Sequence, residues 1–186
     1  MHIITDIPTK TKTGTPVSLA EAKSQLQIET TFTTDDTYIA LLVSIAIEKI
    51  EADTNSDVLE TTNVLLFVPE NDFEIYTICQ APLLSFTSLE KLNGAAWTDV
   101  ATTAYEVTTG FSKFDLELLE SIEADQFRLT YKTGYAAANI PKVLKGAALI
   151  KTSDLFDSER QGYTLNVAAN RAYESLISKH IRTYWG

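Results

Sequence analysis

The apolar residues of this chain change period twice, and that change limits the fold more than any single motif. After Tyr38 they recur at three and four, through Ile39, Leu42, Val43, Ala46, Ile47 and Ile50, the spacing of one face of a helix of about five turns. Beyond residue 57 they alternate by two, as in Phe73-Glu74-Ile75-Tyr76-Thr77-Ile78 and Phe127-Arg128-Leu129-Thr130-Tyr131-Lys132, the period of a strand with one buried face. From Ile140-Pro141 the helical spacing returns, through Val143, Leu144, Ala147, Ala148, Ile150, Leu155 and Phe156. Helices on either side of a strand-rich middle predict an α+β fold. Residues 16–57 and 136–186 make a helical bundle, and residues 58–135 an inserted antiparallel β lobe, a small sandwich or barrel.

Local signals place the boundaries. Ser18 precedes Leu19 and Ala22, with Glu21 three residues on and Pro16 just ahead, which reads as a capping box. On this short helix Leu19, Ala22 and Leu26 form the apolar stripe, and Glu21, Lys23, Gln25 and Gln27 are expected to face water. Thr34-Asp35-Asp36 supplies a hydroxyl and two carboxylates for the first turn of the long helix, so Asp35 and Asp36 are expected to cap it and meet its dipole. That helix ends in Asp53-Thr54-Asn55-Ser56-Asp57, a run of turn formers. In the lobe, Asn93-Gly94 is a hairpin signal, and Phe114 to Leu118 reads as a further edge strand. Beyond Phe156, residues 157–166 form a polar loop with Gly162, and a last helix starts near Val167. Residues 1–15, polar and rich in threonine, are expected to be a flexible arm, with the β-prone Ile3-Ile4 suited to adding to a neighbour's sheet.

Composition excludes several chemistries. Cys79 is the only cysteine, so neither an internal disulfide nor a thiolate metal cluster can form. His2 and His180 lie near opposite ends of the chain, a poor basis for a metal site or a catalytic triad. No phosphate loop or dinucleotide fingerprint occurs among seven glycines. Glu117, Glu120 and Glu123 could supply a glycosidase-like carboxylate pair, but such a pair needs a cleft and unequal environments, and a solvated acidic loop is the better reading. No metal, no cofactor and no catalytic residue is expected. The net charge is −10, with thirteen acids between residues 57 and 125 against Lys91 and Lys113. Such a chain does not grip DNA. No apolar run approaches the roughly 20 residues of a membrane helix, and the first residues lack a signal-peptide pattern. Synthesis in a cytoplasm and no membrane partner are therefore expected.

Three ordered stretches resemble a known family. The first is Pro16-Val17-Ser18-Leu19-Ala20-Glu21-Ala22-Lys23-Ser24-Gln25-Leu26-Gln27-Ile28, then Asp35-Asp36 and the long helix closing at Thr54-Asn55. The second is Ala81-Pro82-Leu83-Leu84-Ser85-Phe86-Thr87-Ser88-Leu89, then Tyr105-Glu106-Val107 and Arg128-Leu129-Thr130-Tyr131-Lys132-Thr133-Gly134-Tyr135. The third is Ile140-Pro141-Lys142-Val143-Leu144-Lys145-Gly146-Ala147-Ala148-Leu149 with Tyr173 to Arg182. Together they are similar to the head-tail connector (adaptor, or head completion) proteins of tailed bacteriophages, in the longer form with a β lobe. Asn55 stands where that family commonly has glycine, and Lys132-Thr133 departs from its usual strand ending.

The resemblance implies a structural virion protein of the neck, at the head-tail junction. Its expected partners are copies of itself in a ring, commonly a dodecamer, the portal protein, and a stopper or tail-completion protein, with DNA passing through the lumen. Lys179, Arg182, Tyr184 and Trp185 are the expected portal contact, since aromatic and arginine residues anchor interfaces. A tail terminator is the alternative virion role, and a hydrolase using Glu117 and Glu120 the remote one.

Overall fold

A computed structural model describes residues 2–4, 8–69, 75–161 and 171–182, with backbone alone for 2–4 and 157–161. The chain divides into two compact units. One is helical and comprises Gly14–Val58 and Ala137–Ile181; the other comprises Met1–Thr13, Leu59–Ala136 and Arg182–Gly186 and holds the sheets. The fold is α+β, as the two changes of period require.

In the helical unit, α1 (Leu19–Gln25) is closed by a reciprocal cap. The Glu21 amide donates to Ser18 Oγ at 3.2 Å, and the Ser18 amide donates to Glu21 Oε2 at 2.8 Å. Helix α2 (Asp36–Thr54) buries Ile39, Leu42, Val43, Ala46, Ile47 and Ile50. It stops at Asn55, which adopts φ 49°, ψ 40° and donates its amide to the Glu51 carbonyl. A left-handed residue is needed there, and asparagine tolerates it. The Glu51 side chain adds a second lock by accepting the Val58 amide at 3.0 Å. Helix α3 (Lys142–Gln161) packs against α1, α2 and α4 (Arg171–Ile177), which ends in a 3₁₀ turn, Ser178–His180. The helical backbone of α3 runs past Phe156 to Gln161, where a loop was expected, because nothing in 157–161 breaks a helix already nucleated upstream. The expected helix start at Val167, with Gly162, lies outside the described residues.

Two expectations fail between α1 and α2. Lys23 does not face water: it is 2% exposed. Its ammonium donates to the carbonyls of Thr30 at 3.2 Å and Phe32 at 2.8 Å and forms an ion pair with the Asp36 carboxylate. One cation thus neutralises three acceptors and ties the connecting loop to the start of α2. Asp35 sits at the N-cap position but makes no capping hydrogen bond. Its backbone (φ −99°, ψ 7°) is not the extended conformation that aims a side chain at the first-turn amides. Asp36 is spent on Lys23 and acts as a tether.

The β unit is two facing sheets. The five-stranded sheet runs β2 (Thr9–Thr13), β3 (Glu60–Phe67), β9 (Gln126–Thr133), β5 (Leu83–Asn93) and β6 (Ala96–Asp99). The four-stranded sheet runs β1 (His2–Ile4), β4 (Ile75–Ile78), β8 (Phe114–Leu118) and β7 (Tyr105–Thr109). All pairings are antiparallel except β1 with β4. The expected flexible arm is therefore strand: β2 pairs with β3 from Thr9↔Val64 to Thr13↔Glu60. Strand β8 is interior, between β4 and β7, and not at an edge. Its Phe114, Leu116 and Leu118 are buried because every second residue meets the opposing sheet.

Aromatic pairs knit the core: Phe67 to Tyr76 (ring centroids 5.1 Å apart), Phe67 to Phe127 (5.5 Å) and Phe114 to Tyr131 (5.0 Å, edge-on). Each buried large side chain contributes about 1.5–3 kcal/mol. The hairpin pairs Asn93 with Ala96, so its two-residue loop is Gly94-Ala95. Gly94 takes φ +65° at the first central position, where a II′ turn demands glycine.

Lys23→Ala should destabilise the protein by about 3 kcal/mol, since it strands a carboxylate and two carbonyls. Urea unfolding against the exposed control Lys142→Ala measures it; equal losses in both would refute the tether.

Candidate interaction surfaces

The helix that fills the helical core is also apolar on its outer side. Between Asp36 and Glu48 it carries no charge. Leu41 is 56% exposed and Ile45, one turn on, 39% exposed, flanked by exposed Ala40 and Ser44. Further along, the outer face turns polar with Glu48 and with Lys49, whose ammonium pairs with Asp53 at 2.6 Å. A helix of ordinary amphipathicity keeps water-facing positions polar, so three uncharged turns exposing Leu41 and Ile45, followed by charged ones, mark a surface suited to burial.

The end of α2 is pinned to α4. Tyr173 Oη donates to Asp53 Oδ2 at 2.7 Å, with the Lys151 ammonium 5.6 Å from the Tyr173 ring centre. Burial raises the Asp53 pKa, but hydrogen bonds from Lys49 and Tyr173 pull it further down, so the carboxyl lies below its ordinary value. Burial, then the Asp53 contact, pushes the Tyr173 phenol well up. Glu21 is likewise lowered, first by the Ser18 amide of its own cap.

The four residues expected to meet a portal have different fates. Lys179 is exposed in the terminal 3₁₀ turn of the helical unit, next to half-buried His180 and to Ile181, which is 43% exposed. Arg182 belongs to the β unit and is 4% exposed. Its guanidinium carbon lies 4.4 Å from the ring centre of Phe111, itself 62% exposed. Arg182 is therefore already used inside its own chain, as a cation over an aromatic face, and offers a partner little surface. Tyr184 and Trp185 lie outside the described residues. A similar arrangement holds the outer face of the five-stranded sheet: Arg128 pairs with Glu90 and lies 4.5 Å from the Trp97 ring centre.

The carboxylates singled out for hydrolysis are spread out in kind. Glu117 is on β8, on the face opposite Leu116 and Leu118 and directly across from Glu106. Glu120 and Glu123 are exposed in the loop that follows. Neither exposed carboxylate has the desolvated surroundings of a catalytic acid. The Cys79 thiol is half-buried, and burial raises its pKa, so it is a poor nucleophile. Among the described residues no group of three or more His, Cys, Asp or Glu is placed to hold a metal ion. None of the described helices is long and apolar enough to cross a membrane.

No protein-family model matches the chain, and no curated protein matches it in sequence. Its fold, however, recurs nearly end to end in solved structures of gene transfer agent (GTA) particles. It is similar to a chain from the neck of an empty GTA particle computed with C6 symmetry, at TM-score 0.75 and 18% identity, covering 96% of this chain and 98% of the other. A chain from the virion of a native gene transfer agent particle gives TM-score 0.74 at 17% identity over 96% and 98%. A third, from the neck of a native particle computed with C12 symmetry, gives 0.71 at 15% identity over 97% and 98%. Identities this low establish shared architecture, including both units and their order.

Two outcomes follow from these side chains. Acid should unfold the protein in part through Asp53: a carboxyl with a lowered pKa stabilises above its unfolded pKa and loses that contribution as pH falls through the folded one. Tyr173→Phe should cost about 1–2 kcal/mol at neutral pH and flatten the decline below about pH 4; unchanged slopes in chemical denaturation from pH 3 to 7 would contradict it. In the β unit, Phe111→Ala and Arg182→Ala should be non-additive by about 1 kcal/mol in a double-mutant cycle, and additivity would mean that the stack contributes nothing.

Proposed function

We propose that this protein is a structural subunit of the neck of a tailed-phage-like particle. Within the neck its role is that of a head-tail connector, or adaptor: a homo-oligomeric ring, commonly of twelve copies, seated on the portal and continued by a stopper or tail-completion protein. The observation that carries this reading is the two-way, near-complete match to neck chains, 96% of this chain and 98% of the neighbour at TM-score 0.75. The neighbours come from particles treated with six- and twelve-fold symmetry, which fits a subunit that repeats around an axis.

Features of this chain support the same reading. A ring neighbour would cover the exposed Leu41 and Ile45 of α2, which have no reason to stay in water. The net charge of −10 suits a passage through which DNA slides, because like charge keeps the phosphate backbone from adhering. The portal contact is drawn from Lys179 and the following residues, with Arg182 acting from within the fold. A tail terminator shares the ring symmetry and is the alternative; it would meet the tail tube and leave the portal alone. Exposed Glu120 and Glu123 give the hydrolase reading no support.

Light scattering after gel filtration of the protein, the portal of the same particle, and their mixture tests this. A ring on the portal is expected. The Leu41→Glu/Ile45→Glu variant should keep the circular dichroism of the parent and fail to form the ring, and Lys179→Glu combined with removal of residues 183–186, which leaves Arg182 in place, should abolish portal binding alone. No complex with the portal would turn the assignment to the tail terminator.

A further inference from the structure

We propose that the segment carrying β1 and β2 is exchanged between neighbouring copies in the assembled ring, each protomer closing the sheet edges of the next. The inference rests on the ring reading and adds to it which element links the subunits.

Strand β2 contributes nothing to the core: all five of its side chains are exposed. Its backbone is laddered to β3 from Thr9↔Val64 to Thr13↔Glu60, with the Thr13 hydroxyl donating to the Glu60 carbonyl at 3.2 Å. Backbone bonds of this kind are made equally well by the same strand of an identical copy. The segment is also terminal in both sheets, β2 in the order β2-β3-β9-β5-β6 and β1 in the order β1-β4-β8-β7. Its departure would uncover two edges at once, β3 and β4, and the sequence that fits both in register is this segment again.

The hinge lies where exchange needs it. The β unit's first segment ends at Thr13 and the helical unit begins at Gly14. Gly14 has φ +83°, and a Cβ placed on it would meet nothing within 4 Å. Rotation there redirects the segment at the expense of its own pairings with β3 and β4 while the helical unit stays packed, and glycine is the residue that permits it. In a cyclic ring the contact is heterologous: each copy donates one segment and receives one, so the exchange closes on itself. All ladder bonds are kept, and neighbours held side by side raise the effective concentration of the incoming strand.

The test reads where a cross-link forms. In a Cys79→Ser background, Thr11→Cys/Thr62→Cys and, separately, Thr13→Cys/Glu60→Cys place thiols on paired positions of β2 and β3. Each is oxidised as monomer and as isolated ring, then run on a denaturing gel without reductant. Exchange predicts chain-sized product from monomer and a covalent ladder of multimers from the ring. Chain-sized product with consumed thiols in both states overturns the exchange while leaving the ring intact. Failure of both pairs to cross-link in either state overturns the β2–β3 register on which the inference stands. Absence of any ring, with or without portal, removes the functional reading and the exchange with it.

Discussion

The ladder between β3 and β9 is the contact on which the rest of the topology depends. A chain that leaves a helical framework to build a lobe must bring its ends back together. Here the two strands at either end of the lobe are hydrogen-bonded neighbours from Thr61↔Thr133 to Phe67↔Phe127, with a further bridge from Leu59 to Tyr135. The buried end of the ladder is fixed by Asn63, whose amide donates to Thr133 Oγ1 at 2.7 Å and to the Thr61 carbonyl at 3.1 Å. A buried amide that donates to both strands of an apolar sandwich pins register as apolar packing alone does not. Once those ends are closed, the loop-closure entropy of the whole insertion has been met in one place.

The helical unit solves a different problem. Its longest apolar surface, α2, is uncharged on both sides over its first turns and has large apolar residues on each, so hydrophobicity alone decides weakly which side faces α3. Lys23 and Tyr173 remove that ambiguity. One ties Asp36 at the start of α2 to the α1–α2 loop, and the other ties Asp53 near its end to α4. Polar anchors at the two ends set the rotation of a helix whose middle is permissive, which leaves Leu41 and Ile45 outward.

Much of this was legible in the sequence because it is local. The Ser18 and Glu21 cap, the left-handed Asn55, the alternating strands and the proline before α3 are each written within a few residues, and short-range sterics enforce them. Apart from the Asp35 cap and the longer end of α3, which are local, the misreadings are long-range. Lys23 scores as polar in any periodicity, and only the loop folding over it supplies its acceptors. The β2 segment reads as disordered because its ladder partner lies about fifty positions away. Phe111 and Arg182 meet across 71 positions, so nothing near Arg182 signals that it is occupied. Strand β8 reads as an edge because its alternation is the same whether one neighbour or two flank it. The candidate surface was less legible than the fold. Exposed leucine and isoleucine on α2 are indistinguishable by spacing from the buried ones until the packing partner is known.

Strand β2 carries one more consequence. Lys10 and Lys12 align with Asn63 and Thr61, residues of the inward face, yet both lysines are exposed. An edge strand that turns charge toward the inner side is hard to extend, because the next strand would have to bury an ammonium. Addition of further strands beyond β2 is thereby disfavoured. The most exposed backbone of the β unit thus carries its own barrier against fibre growth.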